Sequence, residues 1–209
     1  TFEGLKQERL TQVNPKIGVD FVTGLSSIVR QDPDIIMIGE MRDTETAQIA
    51  VQSALTGHLV LSTLHTNTAA GAITRMEDMG VESFLLSSSL LGVLAQRLVR
   101  TLCPHCKESH LPDGQELKLL ELPDDNTQNI YRAIGCSECS NKGYKGRMGI
   151  HELIVVDDKV RELIHNGKGE QAIEKFIRTN TPSIRRDGFD KVITGQTTLE
   201  EVLRVTRED

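Results

Sequence analysis

The chain has 209 residues, of which 38% are hydrophobic and 26% charged, a composition typical of a folded globular protein and not of a disordered or collagen-like chain. Aromatic residues make up only 3%, with no Trp, so the core is expected to be aliphatic and to lack the stacking platforms of single-strand nucleic-acid binders. The formal net charge of -6 opposes the basic face that sequence-independent duplex binding requires, and no apolar run is long enough to span a bilayer.

The first hundred residues alternate helical patterns with short apolar runs. A helix is predicted over 23–30, and Asp32-Pro33-Asp34 ends it because the residue before proline is pushed out of the helical region. Ile35–Ile38 is a continuous apolar run, typical of a parallel strand covered on both faces. Four further elements are predicted: a helix from Asp43 to Leu55, a strand over 59–61, a helix from Thr66 to about Met79, and a longer helix over 82–98. This order predicts an α/β fold with a parallel sheet.

The pattern changes after Thr101. Residues 103–149 contain all four cysteines and few apolar runs, which predicts a small inserted module. A strand is predicted over 150–156, and helices are predicted over 157–165, over 170–179, from Pro182 to near Gly195, and from a capping box at 198–201. Three segments are therefore expected, 1–102, 103–149 and 150–209.

Two C-x-x-C pairs, separated by 29 residues, are the most specific motif; they consist of Cys103, Cys106, Cys136 and Cys139. Four thiolates complete a tetrahedron around one ion and leave no position for water, so the pattern predicts a structural zinc site and not a catalytic one. Redox disulfides and inert thiols are the alternatives. His105 and His110 are spare ligand candidates, but four cysteines suffice, so both are interpreted as loop histidines.

Glu40 lies just beyond the first apolar strand, at the carboxyl edge where open α/β sheets bind ligands. A carboxylate there can hold a water of Mg²⁺ or orient an attacking water, as phosphoryl transfer requires, although many strands end in a surface acid. His65 follows the second strand and shares this edge, which makes it a candidate for contacting a γ-phosphate. His58 precedes that strand, and a structural hydrogen bond is the favoured interpretation for it.

Arg30 and Arg42 are candidate phosphate clamps, because a guanidinium matches the geometry of phosphate. Either could instead pair with a nearby aspartate. No G-x-x-x-x-G-K-[ST] motif occurs, so the phosphate cradle of a P-loop enzyme is absent from these 209 residues.

Several of these segments resemble the motifs of one family. The run from Arg30 to Asp43 resembles the Walker B segment of secretion ATPases, and the run from Thr56 to Asn67 resembles their histidine box. The cysteine pairs and the segments 146–153 and 199–206 extend the resemblance over nearly the whole chain. The chain is similar to the C-terminal part of type II secretion traffic ATPases, with type IV pilus assembly ATPases as the next closest family.

The resemblance implies the C-terminal half of a RecA-like ATPase core, an inserted four-cysteine zinc module and a C-terminal helical subdomain. It implies that Glu40 is the Walker B glutamate, that His58 and His65 are the box histidines, and that the four cysteines bind zinc. It also implies a homohexamer at the cytoplasmic face of the bacterial inner membrane. There, hydrolysis of ATP with Mg²⁺ would drive pseudopilus assembly and protein export, with inner-membrane platform proteins as partners and no nucleic acid.

Two features depart from the family pattern. The Walker A motif is expected upstream of Thr1, so the full-length protein is expected to hydrolyse ATP and the fragment to be inactive. Ser26 stands where relatives often carry arginine, which leaves Arg30 and Arg42 as the candidate arginine contacts to nucleotide. A non-catalytic zinc-ribbon interaction module is the alternative for the chain taken alone.

Overall fold

A computed structural model describes residue 11 and residues 20–206 of the chain. In these residues the helices are α1 (Phe21–Val29), α2 (Thr44–Leu55), α3 (Ala69–Asp78), α4 (Ser83–Ser89), α5 (Gly114–Leu120), α6 (Asp158–His165), α7 (Gly169–Ile177), α8 (Ile184–Ile193) and α9 (Leu199–Val205). The strands are β1 (Ile35–Ile38), β2 (Leu59–Ser62), β3 (Gly92–Leu102), β4 (Glu108–His110), β5 (Ile130–Arg132) and β6 (Tyr144–Val155). Among the same residues, no helix is both long enough and apolar enough to cross a membrane.

The described residues form two compact units. Among the described residues, those up to Leu91 together with Val156–Ile173 form the first, and Gly92–Val155 together with those from Glu174 onward form the second. The cysteine segment lies in the second unit, because β3 and β6, which flank it, pair with each other. The three segments expected from the sequence stay a prediction.

The first unit contains the predicted parallel strand pair. β1 and β2 run in parallel, with Ile35 opposite Leu59 and Ile38 opposite Ser62. Ile36 and Ile38 are buried against α1 and α2. Met37, on the opposite face, is 69% exposed, so the described residues cover β1 on one face and not on both as expected.

The helix α2 begins and ends where the sequence predicts. The Asp43 side chain accepts a hydrogen bond from the Thr46 backbone N–H at 2.8 Å and so caps the first turn. The helix ends at Leu55, just before Gly57, whose φ of +106° is accessible mainly to glycine. Asp43 therefore fixes the start of α2 immediately after the segment that follows β1.

The predicted long helix over 82–98 is wrong. Only α4 is helical, and the chain turns extended at Leu90 before β3. The hydroxyls of Ser88 and Ser89 donate to the carbonyls of Phe84 and Leu85, a local bonding that disfavours helix continuation. The short apolar pattern after Leu90 is compatible with a helix or with a strand. Pairing of β3 with β6 favours the strand, because tertiary contacts override such a weak local preference.

The core of the second unit lies between the antiparallel pair β3–β6 and the helices α8 and α9. Val99 and Ile150 are fully buried against Val192 and Val202. β6 begins at Tyr144, earlier than the strand predicted over 150–156. The remaining predicted helices are confirmed as α6, α7, α8 and α9.

The side chain of Glu201 does not close the predicted capping box at the start of α9 but bonds to two arginines. The Thr198 hydroxyl does cap α9 by accepting from the Glu201 N–H at 3.3 Å. The Glu201 carboxylate is fully buried, and it accepts hydrogen bonds from Arg100 and Arg204 instead of from the N-cap backbone. Burial raises the pKa of this carboxyl, but the bonds from Arg204 and Arg100 outweigh it and lower the pKa to about 2.

Candidate active site and metal centre

The segments that follow β1 and β2 are bonded to each other. The Thr63 hydroxyl donates to the Gly39 carbonyl at 2.6 Å, and the Met41 N–H donates to the Thr63 carbonyl at 3.1 Å. Because the two strands are parallel, their carboxyl ends meet at one edge, and these bonds hold the two segments together there. The shared edge expected for Glu40 and His65 is what the structure shows.

Glu40 is at the centre of this edge, with a side chain that is only 20% exposed. Its Oε2 accepts from Arg42 through Nε at 2.7 Å and Nη2 at 2.6 Å. Its Oε1 lies 2.9 Å from Nε2 of His65, whose side chain is 86% exposed.

These contacts favour the charged form of the Glu40 carboxyl. The hydrogen bond from Arg42 is the main cause that lowers the pKa of Glu40, and burial opposes it. The same bond raises the pKa of Arg42. A carboxylate offers about four acceptor positions, so Oε1 keeps one for a further donor such as a water molecule.

Within the part of the chain that the structure describes, Arg42 therefore pairs with Glu40, whereas pairing with a neighbouring aspartate was the alternative expected from the sequence. Arg30 follows α1, is exposed, and makes no side-chain ion pair with another described residue. His58 lies before β2, where its Nδ1 is 2.9 Å from the Ser53 carbonyl near the end of α2. This confirms the structural hydrogen bond favoured for His58, and neither Arg30 nor His58 bonds to Glu40 within the described residues.

The four cysteines come together in the second unit, where the sulfur atoms of Cys103, Cys106, Cys136 and Cys139 all lie within 4.8 Å of one another. The Sγ–Sγ distances are 3.9 Å for Cys103–Cys136 and 3.8 Å for both Cys106–Cys139 and Cys136–Cys139. A tetrahedron with metal–sulfur bonds of about 2.3 Å has sulfur–sulfur edges of about 3.8 Å, whereas a disulfide needs about 2.05 Å. The cluster thus has the spacing to hold a metal ion, and the cysteines are not disulfide-bonded.

Backbone N–H groups point at the sulfurs. Cys139 Sγ accepts from the N–H groups of Cys136 and Gly143, each at 3.2 Å, and Cys106 Sγ accepts from Gly135 at 3.3 Å. Burial raises the pKa of Cys139, but these N–H groups and the neighbouring thiols outweigh it and lower the pKa to about 6. Burial is the main cause that raises the pKa of Cys106 to about 12. Four thiolates this close need a cation to ionise together, which is the condition a bound metal satisfies.

The nearby histidines do not join this cluster. His105 is exposed, and Nε2 of His110 lies 3.3 Å from both carboxylate oxygens of Glu116 at the start of α5. Among the described residues, the group that could hold a metal consists of the four cysteines alone.

The family model for type II/IV secretion system proteins matches residues 3–204. The chain belongs to this secretion protein family. It is 64% identical over 198 residues to the type II secretion system ATPase E of Vibrio cholerae serotype O1. This match covers 95% of this chain and 39% of that protein. It is 63% identical over 207 residues to the type II secretion system protein E of Aeromonas hydrophila, with coverages of 99% and 41%. The chain thus spans about two fifths of the length of the curated relatives it matches.

Solved structures of a pilus retraction motor and of another ATPase share the fold. The pilus retraction motor PilT with bound ADP is 26% identical, with a TM-score of 0.64, and the match covers 90% of this chain and 44% of that one. The ATPase DotB of Legionella pneumophila is 22% identical with a TM-score of 0.63, over 89% of this chain and 42% of that one. These findings confirm the family resemblance drawn from the sequence and the mixed α/β fold.

Sequence reasoning missed one contact in this family member's candidate site. The Thr63 hydroxyl joins the segments after β1 and β2, and its only sequence signal was its place inside the run from Thr56 to Asn67. Threonines are common in such loops, so the residue type by itself did not point to this role.

Proposed function

We propose that this chain is the C-terminal portion of an ATP-hydrolysing motor that powers type II protein secretion by driving pseudopilus assembly. The observation that carries the proposal is the Glu40–His65 pair at the carboxyl edge of two parallel strands, where α/β proteins bind nucleotides. Relatives at 64% and 63% identity bear the name of type II secretion protein E, which favours this role over type IV pilus assembly. The segment over 1–102 would be the second half of a RecA-like core.

In the proposed reaction, Glu40 orients the water that attacks the terminal phosphoryl group. Its carboxylate, whose pKa Arg42 lowers further, is ionised at neutral pH and can accept a hydrogen bond from that water through Oε1. Nε2 of His65 lies 2.9 Å from the same oxygen atom and would help to hold the carboxylate in place. Mg²⁺, when bound with ATP, would neutralise charge on the phosphates.

Contacts to nucleotide by Arg30, Arg42 and His58 stay predictions. Arg42 would have to exchange its bond with Glu40 for one to a phosphate. His58 lies before β2, so it would have to reach the phosphate from the opposite end of that strand.

The full-length parent protein is proposed to work as a homohexamer at the cytoplasmic face of the inner membrane, with platform proteins as partners.

The four cysteines are proposed to hold a structural Zn²⁺. Their sulfur spacing supports it, and so do the backbone N–H groups that stabilise thiolates at Cys106 and Cys139. Four sulfur ligands leave no position for a catalytic water, so the ion would stabilise the fold of this segment and take no part in hydrolysis.

The experiment compares the parent with the 209-residue chain. The parent should hydrolyse ATP with Mg²⁺, and the isolated chain should show no specific hydrolysis and only weak nucleotide binding, because it has no G-x-x-x-x-G-K-[ST] cradle. Tight, saturable ATP binding by the isolated chain, or an inactive but folded parent, would contradict the proposal.

A further inference from the structure

One carboxylate joins α7 to the start of α3 in the first unit. The Thr68 hydroxyl donates to Oε1 of Glu170 at 2.5 Å, across 102 residues of sequence. This distance lies in the range of charge-assisted O–H···O⁻ hydrogen bonds, which are about twice as strong as neutral ones. Glu170 is therefore a specific long-range partner of Thr68.

The start of α3 is shaped around this carboxylate. The Thr68 hydroxyl also accepts from the Gly71 N–H at 2.8 Å and caps the ten-residue helix. A Cβ at Gly71 would lie 2.8 Å from that hydroxyl and 3.0 Å from Oε1 of Glu170, so only glycine fits here without a shift. The partial positive charge of the helix N-terminus also favours a carboxylate at this place.

The same segment carries His65. The Thr66 hydroxyl donates to the Thr68 carbonyl at 3.0 Å, which stiffens the chain between His65 and α3. The segment 65–68 is thus held at both ends, by Glu40 at His65 and by Glu170 at Thr68.

We propose that Glu170 is a positioning residue for ATP hydrolysis: by fixing Thr68, it holds the segment that presents His65 to Glu40. Glu170 bonds to neither Glu40 nor His65 among the described residues, so its effect passes through Thr68. This role depends on the proposed function, because a rate can report on it only if His65 takes part in hydrolysis.

The test measures kcat and KM for ATP in the full-length parent. Glu170→Ala should lower kcat about tenfold, because small displacements of a catalytic group are costly, and should change KM less than about twofold. Glu170→Gln keeps an acceptor for the Thr68 hydroxyl and should restore at least half of the wild-type kcat. The matched control is Glu174→Gln, one turn along α7, whose carboxylate faces Arg178 and should leave kcat unchanged.

Two further variants separate this role from its alternatives. Thr68→Val removes the hydroxyl that bonds to Glu170. Because this variant and Glu170→Ala break the same hydrogen bond, the double variant should have a kcat no lower than that of the slower single variant. His65→Gln reports on the proposed function itself. If His65→Gln is slow while Glu170→Ala keeps kcat within twofold per folded molecule, the positioning role is wrong. If His65→Gln is also as fast as wild type, the catalytic assignment of this edge fails first.

Discussion

The buried carboxylate of Glu201 accepts two hydrogen bonds from Arg100, one from the guanidinium and one from the backbone N–H at 3.0 Å. Arg204 adds two more, through Nε at 2.9 Å and Nη2 at 3.0 Å. Arg100 and Glu201 are 101 positions apart, so the bonds between them join β3 to α9 within the second unit. A buried acid that stays charged depends on all of these donors.

The first prediction is that Glu201 makes the second unit sensitive to acid. Its pKa falls from an ordinary 4.5 to about 2 on folding, so its contribution is complete above about pH 4.5 and is lost as the pH falls towards 2. The full shift corresponds to about 3 kcal/mol. Urea unfolding of the 209-residue chain between pH 2.5 and 6 measures this loss.

The matching variant is Glu201→Gln, which should flatten this part of the pH profile and destabilise the chain at pH 7. Glu162→Gln is the control, because Glu162 is exposed and its ion pair within the described residues is with Lys159 in the same helix. Identical pH profiles for wild type and Glu201→Gln would contradict the role given to this carboxylate.

The second prediction concerns the metal. The chain should bind one Zn²⁺, and X-ray absorption should find four sulfur ligands at about 2.3 Å. Cys139→Ser or chelation should release the ion and make residues 103–149 sensitive to protease while the first unit stays folded. His105→Ala should keep the ion, since His105 is exposed. A metal-free protein whose mass is two hydrogens lower per cysteine pair would indicate disulfides instead.

The third prediction isolates the loop that closes the cluster. Gly143 has φ of +74°, and a Cβ there would lie 2.6 Å from Cβ of Ala133. Gly143→Ala should therefore displace the N–H that donates to Cys139 and weaken zinc binding in a competition titration. Gly114→Ala is the control, because a Cβ at Gly114 meets nothing within 4 Å. Equal zinc affinity in the two variants would contradict this account.

Local patterns predicted the parts of the molecule that depend on local chemistry. Three predicted features depend on only a few neighbouring residues, and each is present in the structure: the strand Ile35–Ile38, the helix cap at Asp43 and the cluster formed by the two C-x-x-C pairs. The edge shared by Glu40 and His65 followed from the rule that carboxyl ends of parallel strands meet.

The parts that were missed depend on residues far apart in sequence. The segment 92–98 is a strand because β6 pairs with it, and nothing within the segment indicates that partner. Glu201 looked like half of a capping box until Arg100 was brought beside it. The bond between Thr68 and Glu170 has the same character, since neither residue lies in a motif that names the other.

The central claim is that Glu40 orients the attacking water, and Glu40→Gln in the full-length parent tests it most directly. Glutamine keeps the shape of the side chain and loses the charge, so nucleotide affinity should stay within about threefold of wild type while kcat falls about 100-fold or more. Glu45→Gln, an exposed acid in the first turn of α2, is the control and should keep the wild-type rate. A Glu40→Gln parent that binds ATP normally and turns it over at a near-normal rate would contradict the account.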